Sequence, residues 1–517
     1  MLQLKSYVSG GWHGGEGKAA TLLNPATEEP LAETSTDGID FSSTLKYART
    51  VGGPALRAMT FTERAGLLQG VYDTLFANRE EFIKLSIANG GNTRNDAKFD
   101  VDGATATLLA YVDVGNNIGD RHIINDGETE QIGRTPRYGG KHIYTTMCGA
   151  AVHVNAFNFP AWGMIEKAAV ALLAGMPVVS KPATSTALLA HRMTQVIVDS
   201  GVLPDGAFSF IAGSVGDLLD HLGPQDVLAF TGSGDTAAVL RGLEAHTRRS
   251  VRVNVEADSL NAAVMGPDVE GGSETWQMML NEVTNDVRQK AGQKCTAIRR
   301  VFVPPGQMEN FVAALKERLE DINIGNPADA NVRMGPLVSR NQLDDVAAGV
   351  NELAKQAHKV SGSLQPDKLT GVDAGKGFFL SPHLFQVDDV ATAPLVHERE
   401  IFGPVVTVMP YEDAETLINI CARGGGSLVS SVYSDDRKFA RELLTGLAPY
   451  NGRLTHGSSK VAGISPGPGT VLPGLVHGGP GRAGGGEELG GARGLSFYMQ
   501  RTAIQGYSAL LDKFFPN

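Results

Sequence analysis

Between Ala151 and Val255, short apolar runs of strand length alternate with runs of helical periodicity, and no other feature narrows the fold as far. Strands are expected at 151–156, 177–181, 207–211, 227–231 and 251–255. Pro160 can open a helix, because its missing N–H would be unpaired in a first turn anyway. That helix continues through Ala168 to Leu173 and can close at Gly175. A second helix is expected over 185–200, with Leu189, Met193, Val196 and Ile197 as its apolar face. Strands and helices alternating at this spacing give an α/β fold, a parallel sheet covered on both faces. Such a sheet binds ligands at the carboxyl ends of its strands.

The alternation resumes after Glu256, with a helix over 275–290, a strand over 301–303 and a helix over 308–322. A second α/β unit thus begins where the first sheet ends, and a cleft between two such units is a natural place for chemistry. Residues 1–50 read as short strands and turns, with Asn24-Pro25-Ala26-Thr27 as a turn. From Thr62 a helix is expected, with Leu68, Val71, Tyr72 and Leu75 on one face. The Gly- and Pro-dense stretch 463–486 is too long for a hairpin; an ordered loop of close backbone approach and a mobile segment both fit it.

A net charge of −11 argues against nucleic acid or an anionic membrane as partner. Cys148, Cys295 and Cys421 are an odd, sparse set, unsuited to a disulfide framework, which suggests a reducing compartment. The N-terminus lacks the apolar core of a signal peptide, and no run reaches the ~18 apolar residues of a membrane helix. A cytoplasmic location is expected, and no metal.

Four places can carry chemistry. Cys295, in Gly292-Gln293-Lys294-Cys295-Thr296, reads either as buried filler or as a nucleophile whose thiolate Lys294 could favour. Glu256 follows an apolar strand and reads as a solvated strand end or as a general base for water. Asn158 lies between a strand and the Pro160 helix, as a turn former or as an amide donor to an oxyanion. Phe230-Thr231-Gly232-Ser233-Gly234 joins a strand to a helix; it is a plain turn or a phosphate site, and it is not the GxGxxG fingerprint. Together they outline a thiolate that captures a carbonyl, a donor for the oxyanion, a nearby dinucleotide and a carboxylate that activates water.

Over essentially its whole length the chain resembles the aldehyde dehydrogenase superfamily. The resemblance rests on ordered matches at Phe157-Asn158-Phe159-Pro160, Lys181-Pro182-Ala183, Phe230-Thr231-Gly232-Ser233, Gly292-Gln293-Lys294-Cys295-Thr296 and Glu400-Ile401-Phe402-Gly403-Pro404. Gly325-Asn326-Pro327 followed by Met334-Gly335-Pro336 matches as well. Ala156 to Pro160, Val255 to Asn261 and Val476 to Gly491 are similar to a narrower branch. That branch holds the dehydrogenase half of the bifunctional phenylacetate-pathway ring-opening enzymes and the stand-alone 3,4-dehydroadipyl-CoA semialdehyde dehydrogenases of aerobic benzoyl-CoA degradation. A chain stopping at Asn517 leaves no room for a hydratase domain, so the stand-alone type is the nearer expectation.

The resemblance implies a Rossmann-type cofactor domain over 1–130 and 150–255 and a catalytic domain over 256–460. It further implies a Gly/Pro-rich loop region at 461–486, with oligomerisation strands and tail at 131–149 and 487–517. Cys295 would be the nucleophile and Glu256 the base for hydrolysis. Asn158 and the Cys295 backbone N–H would form the oxyanion hole. Lys181 would bind the adenosine ribose, Gly232 and Ser233 the pyrophosphate, and Glu400 the nicotinamide ribose, with Phe402 beside it. Many NAD-preferring members carry an acidic residue where this chain has Thr184. Two like charges ~4 Å apart at an effective dielectric of ~20 cost on the order of 4 kcal/mol. Without that repulsion a 2′-phosphate is acceptable, and NADP is the expected cofactor. Glu256 favours water over coenzyme A as acyl acceptor. The expected substrate is an aldehyde at the far end of a CoA thioester. A general medium- or long-chain aldehyde dehydrogenase, a CoA-acylating enzyme and a non-catalytic scaffold are the alternatives. A strand over 495–504 is expected to pair with residues near 137–146 in an oligomerisation sheet, giving a homodimer or higher assembly.

Overall fold

The computed structural model describes residues 1–516. The expected parallel sheet is present. Its strand order runs Arg252–Glu256, Val227–Thr231, Ala151–Val154, Val178–Lys181, Phe208–Phe210, and these five pair in parallel. Ser6–Val8 and Gly11–His13 extend the sheet antiparallel at the Phe208–Phe210 edge. Ala151–Val154 is first in sequence and central in space, so the chain winds outward from it in two directions. The switch point lies between Ala151–Val154 and Val227–Thr231, where a crevice opens at the carboxyl ends. Glu256 ends its strand rather than following it, in register with Thr231.

The helix expected from Pro160 starts at Trp162 and runs Trp162–Ala174, closing on left-handed Gly175. Its cap is remote: Asp100 accepts from the N–H of Trp162 at 2.8 Å and from Ala161 at 3.4 Å. A distant carboxylate thus does what Pro160 was expected to make unnecessary. Phe61–Ala77 begins one residue earlier than expected, because Thr60 and Glu63 form a reciprocal capping box. Within the first fifty residues, Phe41–Tyr47 is a helix, capped by Asp40, where only strands and turns were expected.

A second seven-stranded sheet has the order His358–Ser361, His383–Gln386, Val405–Pro410, Arg300–Val303, Ala262–Met265, Ser427–Tyr433, Asn451–Gly457. All pairs but the first are parallel. The loops that precede Arg300–Val303 and Val405–Pro410 share a cavity with the carboxyl ends of the first sheet's strands. A separate antiparallel sheet pairs Met499–Tyr507 with Tyr138–Thr146. The strand starts at Met499, not 495, because Leu495–Tyr498 is a short helix with Leu495 and Tyr498 buried. The last residue of the expected tail, Asn517, lies outside the described residues. No helix among the described residues is long and apolar enough to cross a membrane.

Of the Gly- and Pro-dense stretch 463–486, the part from Val476 onward folds as the ordered loop of close backbone approach. Val476–Gly478 and Glu487–Leu489 form a hairpin, and Gly486 N–H bonds to the Val255 carbonyl at 3.1 Å while Ala257 N–H bonds to that of Ala483 at 3.0 Å. A side chain on Gly484 would begin 2.3 Å from the Val255 oxygen. Glycine is what lets this loop lie on the strand that ends in Glu256.

Candidate active site

Cys295 sits in the loop between helix Glu274–Arg288 and strand Arg300–Val303. The helix expected to reach Lys290 stops at Arg288, and Lys290, Ala291 and Gly292 adopt φ of 53°, 51° and 68°. Two non-glycine residues in the left-handed region cost ~1 kcal/mol each, so the surroundings must impose the turn. They do so from several sides. Lys290 donates to Asn92 Oδ1 at 3.1 Å, and its ammonium lies 4.6 Å from the Phe159 ring centroid. Arg299 donates to the carbonyls of Gly292 at 2.9 Å, Lys294 at 3.2 Å and Gly403 at 2.7 Å. Asn261 Nδ2 donates to the carbonyls of Cys295 at 2.8 Å and Ala297 at 2.9 Å. The backbone carrying the thiol is therefore held by buried polar side chains, Lys290 and Arg299 from within the loop and Asn92 and Asn261 from outside it.

Lys294 does not serve the thiol. Its ammonium is buried and donates to Asp286 Oδ1 and Gln289 Oε1, both at 2.7 Å. The expectation that Lys294 favours the thiolate fails because consecutive side chains point different ways here. Instead, burial and then the Glu256 carboxylate push the Cys295 thiol well above its ordinary value.

Glu256 and His477 stand beside the half-buried sulfur. His477 Nε2 is 3.1 Å from Glu256 Oε2 and 3.9 Å from Cys295 Sγ. Ligating atoms of the three residues lie within 4.8 Å of one another. Below them Lys167 Nζ lies 3.1 Å from both Glu166 Oε1 and Glu488 Oε2. Oxygens of Glu166, Glu256 and Glu488 also fall within 4.8 Å of each other. Burial acts to raise Glu256, but the His477 and Lys167 cations outweigh it and hold this carboxyl well below the usual range. Burial, with help from Glu166 and Glu256, pushes Glu488 up to about 8 despite Lys167. Two neighbouring carboxyls thus settle in opposite protonation states, a pattern typical of acid–base sites.

Two cavities meet at this point. One, of about 690 Å³, is lined by Asn158, Gly232, Ser233, Glu400, Phe402, Glu256 and Cys295 among others. The other is narrow and walled by Phe99, Phe159, Trp162 and Val471, and is also lined by Asn158, Glu256, Cys295 and His477. Asn158 is 9% exposed, and its side-chain amide has no hydrogen-bond partner among the described residues. Ser233 caps helix Gly234–Arg241 through the N–H of Thr236, while Gly234 N–H is taken by Asp258 Oδ1 at 2.9 Å. Glu400 accepts from the Ser259 N–H at 3.0 Å and pairs with Arg299 at 3.3 Å; burial lifts it to about 7. Phe402 meets Phe157 edge to face at 5.8 Å. Lys181 and Thr184 are not among the lining residues, although Ala183 between them is. Lys181 ends the strand Val178–Lys181, half-buried, and burial lowers its ammonium to about 8.

The sequence reading gave no role to His477, Glu488, Glu166, Lys167, Asn261 or Arg299. Glu166 and Lys167 had a usable signal, since two charges interrupt an otherwise apolar helix. For His477 the signal was a histidine opening the glycine-rich run 478–486, where Arg482 is the only other polar side chain.

Cys295, Asn158 and Glu256 thus share one wall between a large polar cleft and a narrow aromatic passage. The profile described as Aldehyde dehydrogenase family matches residues 12–504. The chain is 43% identical over 479 residues to the 3,4-dehydroadipyl-CoA semialdehyde dehydrogenase of Aromatoleum evansii, covering 93% of each. Among solved structures, the NAD+ complex of an aldehyde dehydrogenase from Bacillus cereus superimposes with a TM-score of 0.84 at 23% identity, covering 98% of this chain and 96% of that one. Betaine aldehyde dehydrogenase from Staphylococcus aureus in complex with NAD+ gives 0.83 at 22%, covering 98% and 95%. At that identity these two establish the fold.

Proposed function

The chain belongs to the aldehyde dehydrogenase family, and we propose that it oxidises a CoA-linked semialdehyde to the carboxylic acid with NADP, as a step in aerobic benzoate degradation. One observation carries this reading: Cys295, Glu256 and Asn158 line both cavities, so a substrate entering by one passage meets a cofactor lying in the other. The cleft suits a dinucleotide. It opens at the switch point of the first sheet, and the buried hydroxyl of Thr231 on its wall has no hydrogen-bond partner among the described residues. Gly232 and Ser233 at the start of helix Gly234–Arg241 would hold the pyrophosphate, Lys181 the adenosine ribose and Glu400 the nicotinamide ribose. Thr184, three residues after Lys181 in the chain, lacks the carboxylate that would repel a 2′-phosphate.

Held there, NADP would serve as the two-electron oxidant of the captured aldehyde. The protein does the rest. Cys295 Sγ bonds to the carbonyl carbon, and the Asn158 amide with the Cys295 N–H holds the oxygen as it gains charge. After oxidation the acyl group is a thioester on Cys295. Glu256 takes a proton from water, the water oxygen adds to the acyl carbon, and the C–S bond breaks to release the acid. The aromatic passage excludes bulk water from the captured aldehyde. The 43% identity to the Aromatoleum evansii enzyme supports the CoA-linked substrate. The sheet that pairs Met499–Tyr507 with Tyr138–Thr146, exposing Tyr138 and Tyr507, is the surface we assign to homodimer or higher assembly.

The test is NADPH formation with a panel of free aldehydes and CoA-linked semialdehydes, with Cys295→Ala as control. A higher kcat/KM for CoA-linked substrates and for NADP over NAD is expected. Equal rates with short free aldehydes, or a preference for NAD, would overturn the substrate or the cofactor assignment respectively.

A further inference from the structure

His477 takes no part in the chemistry just described, yet it touches both reacting groups. Its Nε2 faces Glu256 Oε2 at 3.1 Å and Cys295 Sγ at 3.9 Å, with its side chain 4% exposed and that of Glu256 3% exposed. A nitrogen and a carboxylate oxygen at that distance need a proton between them, since both would otherwise be acceptors. The other charged groups around the pair are Glu166 and Lys167 from Trp162–Ala174, Glu488 from Glu487–Leu489 and Arg453 from Asn451–Gly457. Lys167 favours a carboxylate on Glu256, which leaves the proton on Nε2; burial opposes a second proton on the ring, but the facing Glu256 carboxylate and then Glu166 outweigh it and favour the imidazolium. Lys294, the other cation near the thiol in sequence, is spent on Asp286.

We propose that His477 is the cationic partner of the Cys295 thiolate, its one Nε2–H turning from Glu256 to the sulfur as the thiol proton passes to Glu256. In that transfer the S–H bond breaks, its electron pair stays on sulfur, and an O–H bond forms on Glu256, which hands this proton to solvent before it takes one from the hydrolytic water. His477 keeps its proton throughout. The three groups begin as imidazolium, carboxylate and thiol and end as imidazolium, carboxylic acid and thiolate, so their net charge does not change. This matters in a buried site, where any step that altered net charge would be heavily penalised. It also explains how a thiol pushed up by burial and by a neighbouring carboxylate becomes reactive, because the carboxylate is neutralised in the same event. The inference rests on Cys295 being the nucleophile of the proposed reaction.

The test follows the rate of iodoacetamide alkylation of Cys295 against pH, in a Cys148→Ser background so that the exposed second thiol does not report. His477→Gln keeps an N–H donor and removes the charge. Its reactivity midpoint is expected to rise by about one pH unit, which makes the reaction roughly tenfold slower at pH 7. An unchanged midpoint overturns the proposal. Should His477→Gln fail to fold, ¹³C-histidine NMR on the unaltered protein decides instead. An imidazolium at pH 7 is expected, and a neutral ring there overturns the proposal. Neither readout uses an aldehyde. If Cys295→Ala still oxidises substrate, the proposed reaction falls, while the alkylation profile separately judges His477.

Discussion

A side chain on Gly292 would begin 2.2 Å from the carbonyl oxygen of Gly403, so the loop that carries the thiol and the loop that follows Glu400 touch backbone to backbone. Gly292 also has φ of 68°, where any Cβ is strained. Gly292→Ala therefore meets a collision and a dihedral penalty together. We expect a loss of roughly 3 kcal/mol or more, read as a fall in the denaturation midpoint, with lower cofactor affinity as Glu400 moves away.

Glu256→Gln removes the acceptor of a water proton but leaves Cys295 and Asn158 in place. Rapid mixing should show a first-turnover burst of reduced cofactor, followed by steady-state turnover lowered about 10²- to 10⁴-fold, the usual worth of a general base. In the transfer inferred above, Glu256 also takes the thiol proton, so the burst should be slower than in the unaltered protein. Steady-state turnover that survives unchanged would remove Glu256 from the chemistry.

Thr184→Glu places a carboxylate beside Lys181. The preference should move toward NAD by at least tenfold in the ratio of kcat/KM values, because solvent screening trims the ~4 kcal/mol repulsion between two close like charges. A ratio unmoved by the substitution would show that the adenosine end lies elsewhere.

Lys294→Met should leave the pH profile of Cys295 alkylation where it was, since the ammonium is turned away toward Asp286. Stability is another matter. Lys294 and Asp286 have side-chain exposures of 1% and 3%, and stranding a buried carboxylate costs about 3–5 kcal/mol. Urea denaturation of the two proteins at pH 7 measures it.

Glu488 binds its proton more tightly in the folded protein, at about 8, than at its ordinary 4.5. The stability this adds is complete below 4.5 and is lost as pH rises toward 8, on the order of 1 kcal/mol per pH unit. Glu488→Gln has no proton to lose. Between pH 5 and 8 the thermal midpoint of the unaltered protein should therefore fall relative to that of Glu488→Gln. Parallel curves would place the proton elsewhere in the cluster.

The sequence by itself determined the alternation of strands and helices from Ala151 to Glu256, and with it the parallel sheet and the edge where ligands gather. Period and strand length are local properties, and a local reading suffices for them. It also singled out Glu256, because a strand places the residue at its end, and Cys295 and Asn158 through the ordered family motifs that carry them. Only the tertiary structure decided what surrounds them. Asp100 caps a helix from another part of the chain, Lys294 turns to Asp286, and His477 reaches Glu256 on a glycine loop folded over Val255. Each of those contacts is settled by which backbone segments approach closely enough to exclude water. Sequence spacing carries no record of that, since the cost of a buried charge is set by its neighbours in space.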